Sequence, residues 1–133
     1  LKLITAICQL FYSKIILSII ERSDAKIFLI EDDEVDIMFA RRMFQKNHVI
    51  NPLFVIGSGA EALMWLREQN HRSSMSPENL LVLLDFYLPR MNGEEFLSNL
   101  QFDPVLGKIP VLLLMKFDRE ISPKVIDYSN IIG

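Results

Sequence analysis

The chain is poor in the residues that build metal clusters and disulfides. Cys8 is its only cysteine, so no internal disulfide can close, and this usage suits a reducing, cytoplasmic compartment. His48 and His71 are the only histidines, each set among polar residues, so neither a Cys/His zinc site nor a histidine pair can be assembled. An excess of positive charge is also missing. Lys and Arg number 14 against 17 Asp and Glu, and from Asp24 onward the count is 11 against 16, a balance of −5. That excludes general nucleic-acid binding, which needs a basic face to displace counterions from phosphates. The sequence has no internal repeat and no low-complexity segment, and its 133 residues suffice for one compact domain. Half of them are hydrophobic and 23% are charged, a composition that folds around a core rather than staying disordered.

Long apolar runs are absent too, although one stretch comes near. Residues 1–20 include 14 apolar side chains, interrupted by Lys2, Gln9 and Lys14. A membrane-spanning helix wants roughly 20 mostly apolar residues, and a central lysine costs about 2.5–3.5 kcal/mol on insertion scales. Helical spacing puts Ile4, Ile7, Cys8, Phe11, Ile15 and Ile19 on one face, with Lys2, Thr5, Gln9 and Ser13 on another. This predicts an N-terminal amphipathic helix, with packing on the domain or a partner, anchoring at a membrane surface and weak membrane crossing as its three readings. A cleaved signal peptide is disfavoured, because no small-residue cleavage site follows the apolar part.

From Lys26 the rhythm becomes strand then helix, repeatedly. Lys26–Ile30 (KIFLI) and Leu53–Ile56 (LFVI) read as short buried strands, as do residues 80–84 (LLVLL) and 109–115 (IPVLLLM). Helices are predicted between them. Val35, Met38, Phe39, Arg42 and Met43 follow helical spacing. Residues 60–69 turn Ala62, Leu63, Trp65 and Leu66 inward, and residues 94–102 bury Phe96, Leu97 and Leu100. Residues 70–79 are polar and read as a loop. Such alternation predicts βαβ units, a parallel sheet and helices on both faces.

The chemistry gathers at strand ends. The first strand stops at Glu31-Asp32-Asp33, and the third stops at Asp85. In a parallel α/β sheet, ligands bind beyond the carboxyl ends of the strands, where strand order reverses. With strand order 2-1-3-4 the first and third strands are neighbours about 4.8 Å apart, and their terminal carboxylates converge. Carboxylates so close repel one another unless a cation neutralises them, and Mg²⁺, a hard ion preferring oxygen ligands, is the natural occupant. Asp residues after strands are also ordinary helix caps, so spacing alone leaves a metal or phosphoryl site and capping both open. Asp85 is the harder one to read as a cap, because an unpartnered carboxylate at the end of so apolar a strand is costly.

Residues 26–33 (KIFLIEDD), 80–93 (LLVLLDFYLPRMNG) and 108–114 (KIPVLLL) together resemble the receiver domain of two-component response regulators. Asp36-Ile37-Met38-Phe39 and Asp103-Pro104 add a similarity to small single-domain regulators partnered with phytochrome-type histidine kinases. The resemblance spans about residues 24–120, so the chain divides into an N-terminal extension (1–23), a receiver domain (24–120) and a divergent tail (121–133). It implies a flavodoxin-like (CheY-like) α/β fold and a phosphorelay role in which Asp85 accepts a phosphoryl group from a sensor histidine kinase. It implies Mg²⁺ held by Glu31, Asp32, Asp85 and the backbone carbonyl of Tyr87, with Asp33 a helix cap. The domain would then be a phosphoacceptor in signalling, and not an enzyme. A haloacid-dehalogenase-type phosphatase, which also uses an Asp after a strand, wants a second Asp two residues on. That position is Tyr87.

Two departures from the family pattern set further expectations. Where receivers carry Thr or Ser at the end of the fourth strand, this chain has Met115, whose thioether cannot donate a hydrogen bond; Lys116 follows it. The tail, residues 120–133, does not resemble the family's last helix, strand and helix, and Lys124 follows a proline where the family has Lys-Pro. The receiver thus reads as incomplete, truncated or frameshifted at its C-terminus. Its fourth strand becomes an apolar edge that invites a homodimer, a downstream protein partner, pairing with residues 125–132 or cover by the N-terminal helix. A degenerate receiver that binds partners without phosphoryl switching is the alternative reading.

Overall fold

The protein is described from a computed structural model, which covers residues 24–72, 76–86 and 90–114 together with residues 18, 19, 21, 22 and 88. The carbonyl of Tyr87, Met115, Lys116, Lys124, the 125–132 segment and most of the predicted N-terminal helix lie outside the described residues.

Within the described residues the order is β1 (Lys26–Ile30), α1 (Glu34–Lys46), β2 (Leu53–Ile56), α2 (Gly59–His71), β3 (Leu80–Asp85), α3 (Gly93–Gln101) and β4 (Val111–Leu114). Single 3-10 turns at Pro77–Asn79 and Leu106–Lys108 lead into β3 and β4. All pairings are parallel, in the order β2-β1-β3-β4. This is the expected flavodoxin-like arrangement, and it brings β1 and β3 side by side.

Alternation along the strands divides the core into two faces, because successive side chains point to opposite sides. Phe28, Ile30, Leu80, Val82, Leu84, Val111 and Leu113 face α2 and α3, which supply Ala62, Leu63, Leu66, Phe96, Leu97 and Leu100. Ile27, Leu29, Leu81, Leu83, Leu112 and Leu114 face the other way, toward Ala40 and Phe44 of α1. Burial on both faces explains why these strands read as continuous apolar runs. Phe28 anchors the first face, stacking on Phe54 at 5.1 Å and against Trp65 at 4.6 Å between ring centroids.

Local signals set the element ends. Ser58 caps α2 through the Glu61 amide, and Asn92 caps α3 through the Glu95 amide. Asp103 accepts from the amides of Val105 and Leu106, which folds the Asp103-Pro104 step into the turn before β4. Asn51 is buried, and its amide donates to the carbonyls of Arg22 and Ala25, tying the entry of β1 to that of β2.

Packing sets three local details, one of which corrects an expected strand start. The buried face of α1 is Asp36, Ala40 and Phe44, with Ile37 and Met43 half-buried, whereas Val35 and Met38 are exposed. Several apolar residues of this helix compete for one stripe, and contact with the sheet decides among them. The fourth strand starts at Val111 instead of Ile109, because Ile109 closes the preceding 3-10 turn through Leu106. Phe102 ends α3 with 87% of its surface exposed.

Candidate functional site

Register builds the site. Ile30 pairs with Leu84, so one step further on Glu31 of the β1 exit lies beside Asp85 at the tip of β3. Both continue the odd-numbered alternation and fall on the same side of the sheet, where neighbouring strands are about 4.8 Å apart. Carboxylate oxygens of Glu31, Asp32 and Asp85 accordingly lie within 4.8 Å of one another. Glu31 (0% exposed) and Asp85 (2%) are buried, and Asp32 opens the cluster to solvent.

Each carboxylate has its own local support. Oε1 of Glu31 accepts from the amides of Asp32 and Asp33, both at 3.1 Å, so this side chain holds the turn that leaves β1. Its other oxygen is buried as well. Asp33 turns away from the cluster and caps α1, accepting from the amides of Val35 at 2.9 Å and Asp36 at 3.2 Å. Asp85 completes β3, paired with Leu114 of β4, and the Phe86 amide donates to the Leu114 carbonyl. Of the four carboxylates at these two strand ends, Glu31, Asp32 and Asp85 gather and Asp33 caps.

The loop after Asp85 is held tightly. The Gly93 amide donates to the Phe86 carbonyl at 2.9 Å, and a Cβ on Gly93 would meet the Phe86 Cα at 2.9 Å. Glycine is thus required at position 93 for close approach, not for a left-handed backbone. Among the described residues of this loop, Arg90 is the left-handed one, with φ 69°. Leu88 is buried, and Met91 packs against the α2/α3 face, so the loop is pinned from below. Asn92 therefore caps α3 while Gly93 gives the loop its contact with Phe86.

The cluster fits a hard divalent cation. Two unit charges about 4.8 Å apart repel by roughly 3.5 kcal/mol at an effective dielectric of about 20, and Glu31 and Asp85 are both withdrawn from water. An ion bridging the three carboxylates relieves that repulsion, and an all-oxygen donor set with one side open to water suits Mg²⁺ or Mn²⁺. His48 and His71 are exposed and lie on other parts of the chain. Among the described residues no helix is long and apolar enough to cross a membrane.

A parallel sheet in this order, with acidic side chains gathered at the tips of its first and third strands, defines the receiver class, and the chain belongs to the response regulator receiver family. No protein-family model matches it. It is similar to a two-component response regulator from Legionella pneumophila, at 33% identity and TM-score 0.62 over 80% of this chain and 81% of that one. It is 31% identical over 94 residues to Response regulator Rcp1 of Synechocystis sp., covering 71% of this chain and 63% of Rcp1. The Mn²⁺-bound form of Rcp1 matches with TM-score 0.60 at 28% identity, over 72% of this chain and 68% of that one. The phosphorylated cyanobacterial phytochrome response regulator RcpA matches at 34% identity and TM-score 0.55, over 67% of this chain and 63% of RcpA. The chain thus spans less than two thirds of the length of the curated relative Rcp1. The phytochrome-associated texture seen in the sequence agrees with these relatives.

Proposed function

We propose that the chain is a phosphoacceptor in a histidine-to-aspartate relay, working in the cytoplasm with Mg²⁺ and a sensor histidine kinase. Its role is that of a stoichiometric acceptor. The observation that carries this reading is the convergence of Glu31, Asp32 and Asp85 within 4.8 Å. The RcpA match is a phosphorylated protein and the Rcp1 match a Mn²⁺-bound one, which supports the same chemistry here.

In this reading a carboxylate oxygen of Asp85 attacks the phosphorus of a phosphohistidine. The new O–P bond forms as the N–P bond breaks, and the imidazole nitrogen keeps the electron pair and takes up a proton. Glu31, Asp32, Asp85 and the Tyr87 carbonyl would hold the cation, which offsets negative charge on the transferring group. The protein's own share is positional. Pairing with Leu114 keeps Asp85 at the strand tip, and the two amide bonds to Glu31 fix the exit of β1 beside it.

The test uses the intact chain with Mg²⁺ and acetyl phosphate, followed by intact-mass measurement. A gain of one phosphoryl group that is lost in Asp85→Asn is the expected result. No gain, or an equal gain in Asp85→Asn, would overturn the proposal and favour a receiver that binds partners without phosphoryl switching. Met115, at the position of the family's hydroxyl residue, gives that second reading its specific support.

A further inference from the structure

The two faces of the sheet are covered unequally by the described helices. On one, α2 and α3 supply six fully buried side chains. On the other, α1 supplies two buried side chains, Ala40 and Phe44, with Ile37 and Met43 partly buried beside them, and Leu81, Leu83, Leu112 and Leu114 of β3 and β4 are at most 8% exposed. One further residue in that cluster comes from neither the sheet nor α1 nor the Ala25 lead-in to β1. It is Ile19, helical and 3% exposed.

We propose that residues 4–19 form an amphipathic helix whose apolar stripe lies on the α1 face of the sheet and completes the core of its own chain. Ile19 is the last member of the stripe Ile4, Ile7, Cys8, Phe11, Ile15 and Ile19, so the stripe's end is already seated in this core. The connection to β1 is short and pinned. The Arg22 amide donates to the Ile19 carbonyl, the Ala25 amide donates to the Arg22 carbonyl, and the Asn51 side chain holds both the Arg22 and the Ala25 carbonyls. A connection this short keeps successive elements adjacent in space. Length matches as well: a 16-residue helix is about 24 Å long, enough to run the length of a six-residue strand of about 20 Å. Thr5, Gln9 and Ser13, on another face of the same helix, would remain toward water.

Cys8 is the probe, because it is the only thiol and sits within the stripe. The full chain is treated with a chromogenic disulfide reagent in buffer and in guanidinium, at several protein concentrations. A native reaction at least 10-fold slower than the denatured one, unchanged on dilution, is expected. Ile15→Asp is expected to restore fast reaction and lower the denaturation midpoint, while Ser13→Asp changes neither. Reaction at the denatured rate in the native chain overturns the proposal. So does protection that vanishes on dilution, which would identify a second copy as the occupant, or protection gained only with anionic phosphatidylglycerol vesicles, which would identify a membrane surface. Should Ile15→Asp fail to fold, the unmodified chain across its dilution series still decides.

Discussion

Strands β1 and β3 are built one way along their length and another way at their tips. Along their length, Ile27–Ile30 and Leu80–Leu84 bury apolar side chains on both faces, and nothing there is available for chemistry. One residue later the same two strands lead into Glu31 and Asp85, also buried but carrying carboxyl groups. The apolar body is what makes the tip precise: two rigid, register-locked neighbours hold carboxylates at a separation that flexible loops would not maintain. The difference teaches that burial serves stability in one place and, under the proposed function, reactivity a few ångströms away. Stability and phosphoryl acceptance should therefore respond to different substitutions.

The largest effect is expected from the body. Phe96→Ala removes a fully buried ring from the α2/α3 face and should cost about 3–5 kcal/mol, read from chemical denaturation. The fraction that remains folded should still be labelled by acetyl phosphate. Loss of labelling in proportion to folded protein sharpens the comparison, and loss beyond it breaks it.

Next comes the tip. Mg²⁺ at about 100 times its dissociation constant should raise stability by about 2.7 kcal/mol if it binds only the folded chain. Asp85→Asn should remove most of that gain and all of the labelling. Without metal it should lower the denaturation midpoint far less than Phe96→Ala does, because it deletes no buried apolar volume. A midpoint lowered as far as by Phe96→Ala in metal-free buffer would show Asp85 to be a structural residue.

Smaller still is Asp33→Ala. Loss of the two cap bonds to α1 should cost about 1 kcal/mol, and Mg²⁺ affinity should change little, since this carboxylate faces the helix and not the cluster. A drop in Mg²⁺ affinity as large as that of Asp32→Asn would place Asp33 in the site. The smallest effect is expected at Arg72→Ala, which breaks an exposed pair with Glu68 and should alter stability by at most about 0.5 kcal/mol.

The strand–helix alternation and the bounds of β1 and β2 were legible because parallel buried strands leave unbroken apolar runs between polar turns, whereas the strand order came with the family resemblance. The buried faces of α2 and α3 were legible for a related reason: each helix has one apolar stripe and no rival. On α1 the apolar residues outnumber the places on the stripe, so spacing predicted the helix but not that the sheet accepts Ala40 and Phe44 and leaves Val35 and Met38 exposed. The acidic residues were visible at once, but their division of labour was not. Glu31 bonding the turn's amides depends on a geometry that two carboxylates of similar spacing could both have adopted. Gly93 shows the same limit, because its need arises from the approach of Phe86, seven residues away, and leaves no mark in local pattern.

By itself the sequence determined the class of fold, the pairs of elements and the candidate carboxylates, since periodicity and strand-end chemistry are local properties. Tertiary structure alone decided which side chains meet. Parallel register sets Glu31 beside Asp85, and packing within the chain seats Ile19 on the face opposite α2 and α3. Distance between residues far apart in sequence is a product of packing, and packing is what the linear order does not contain.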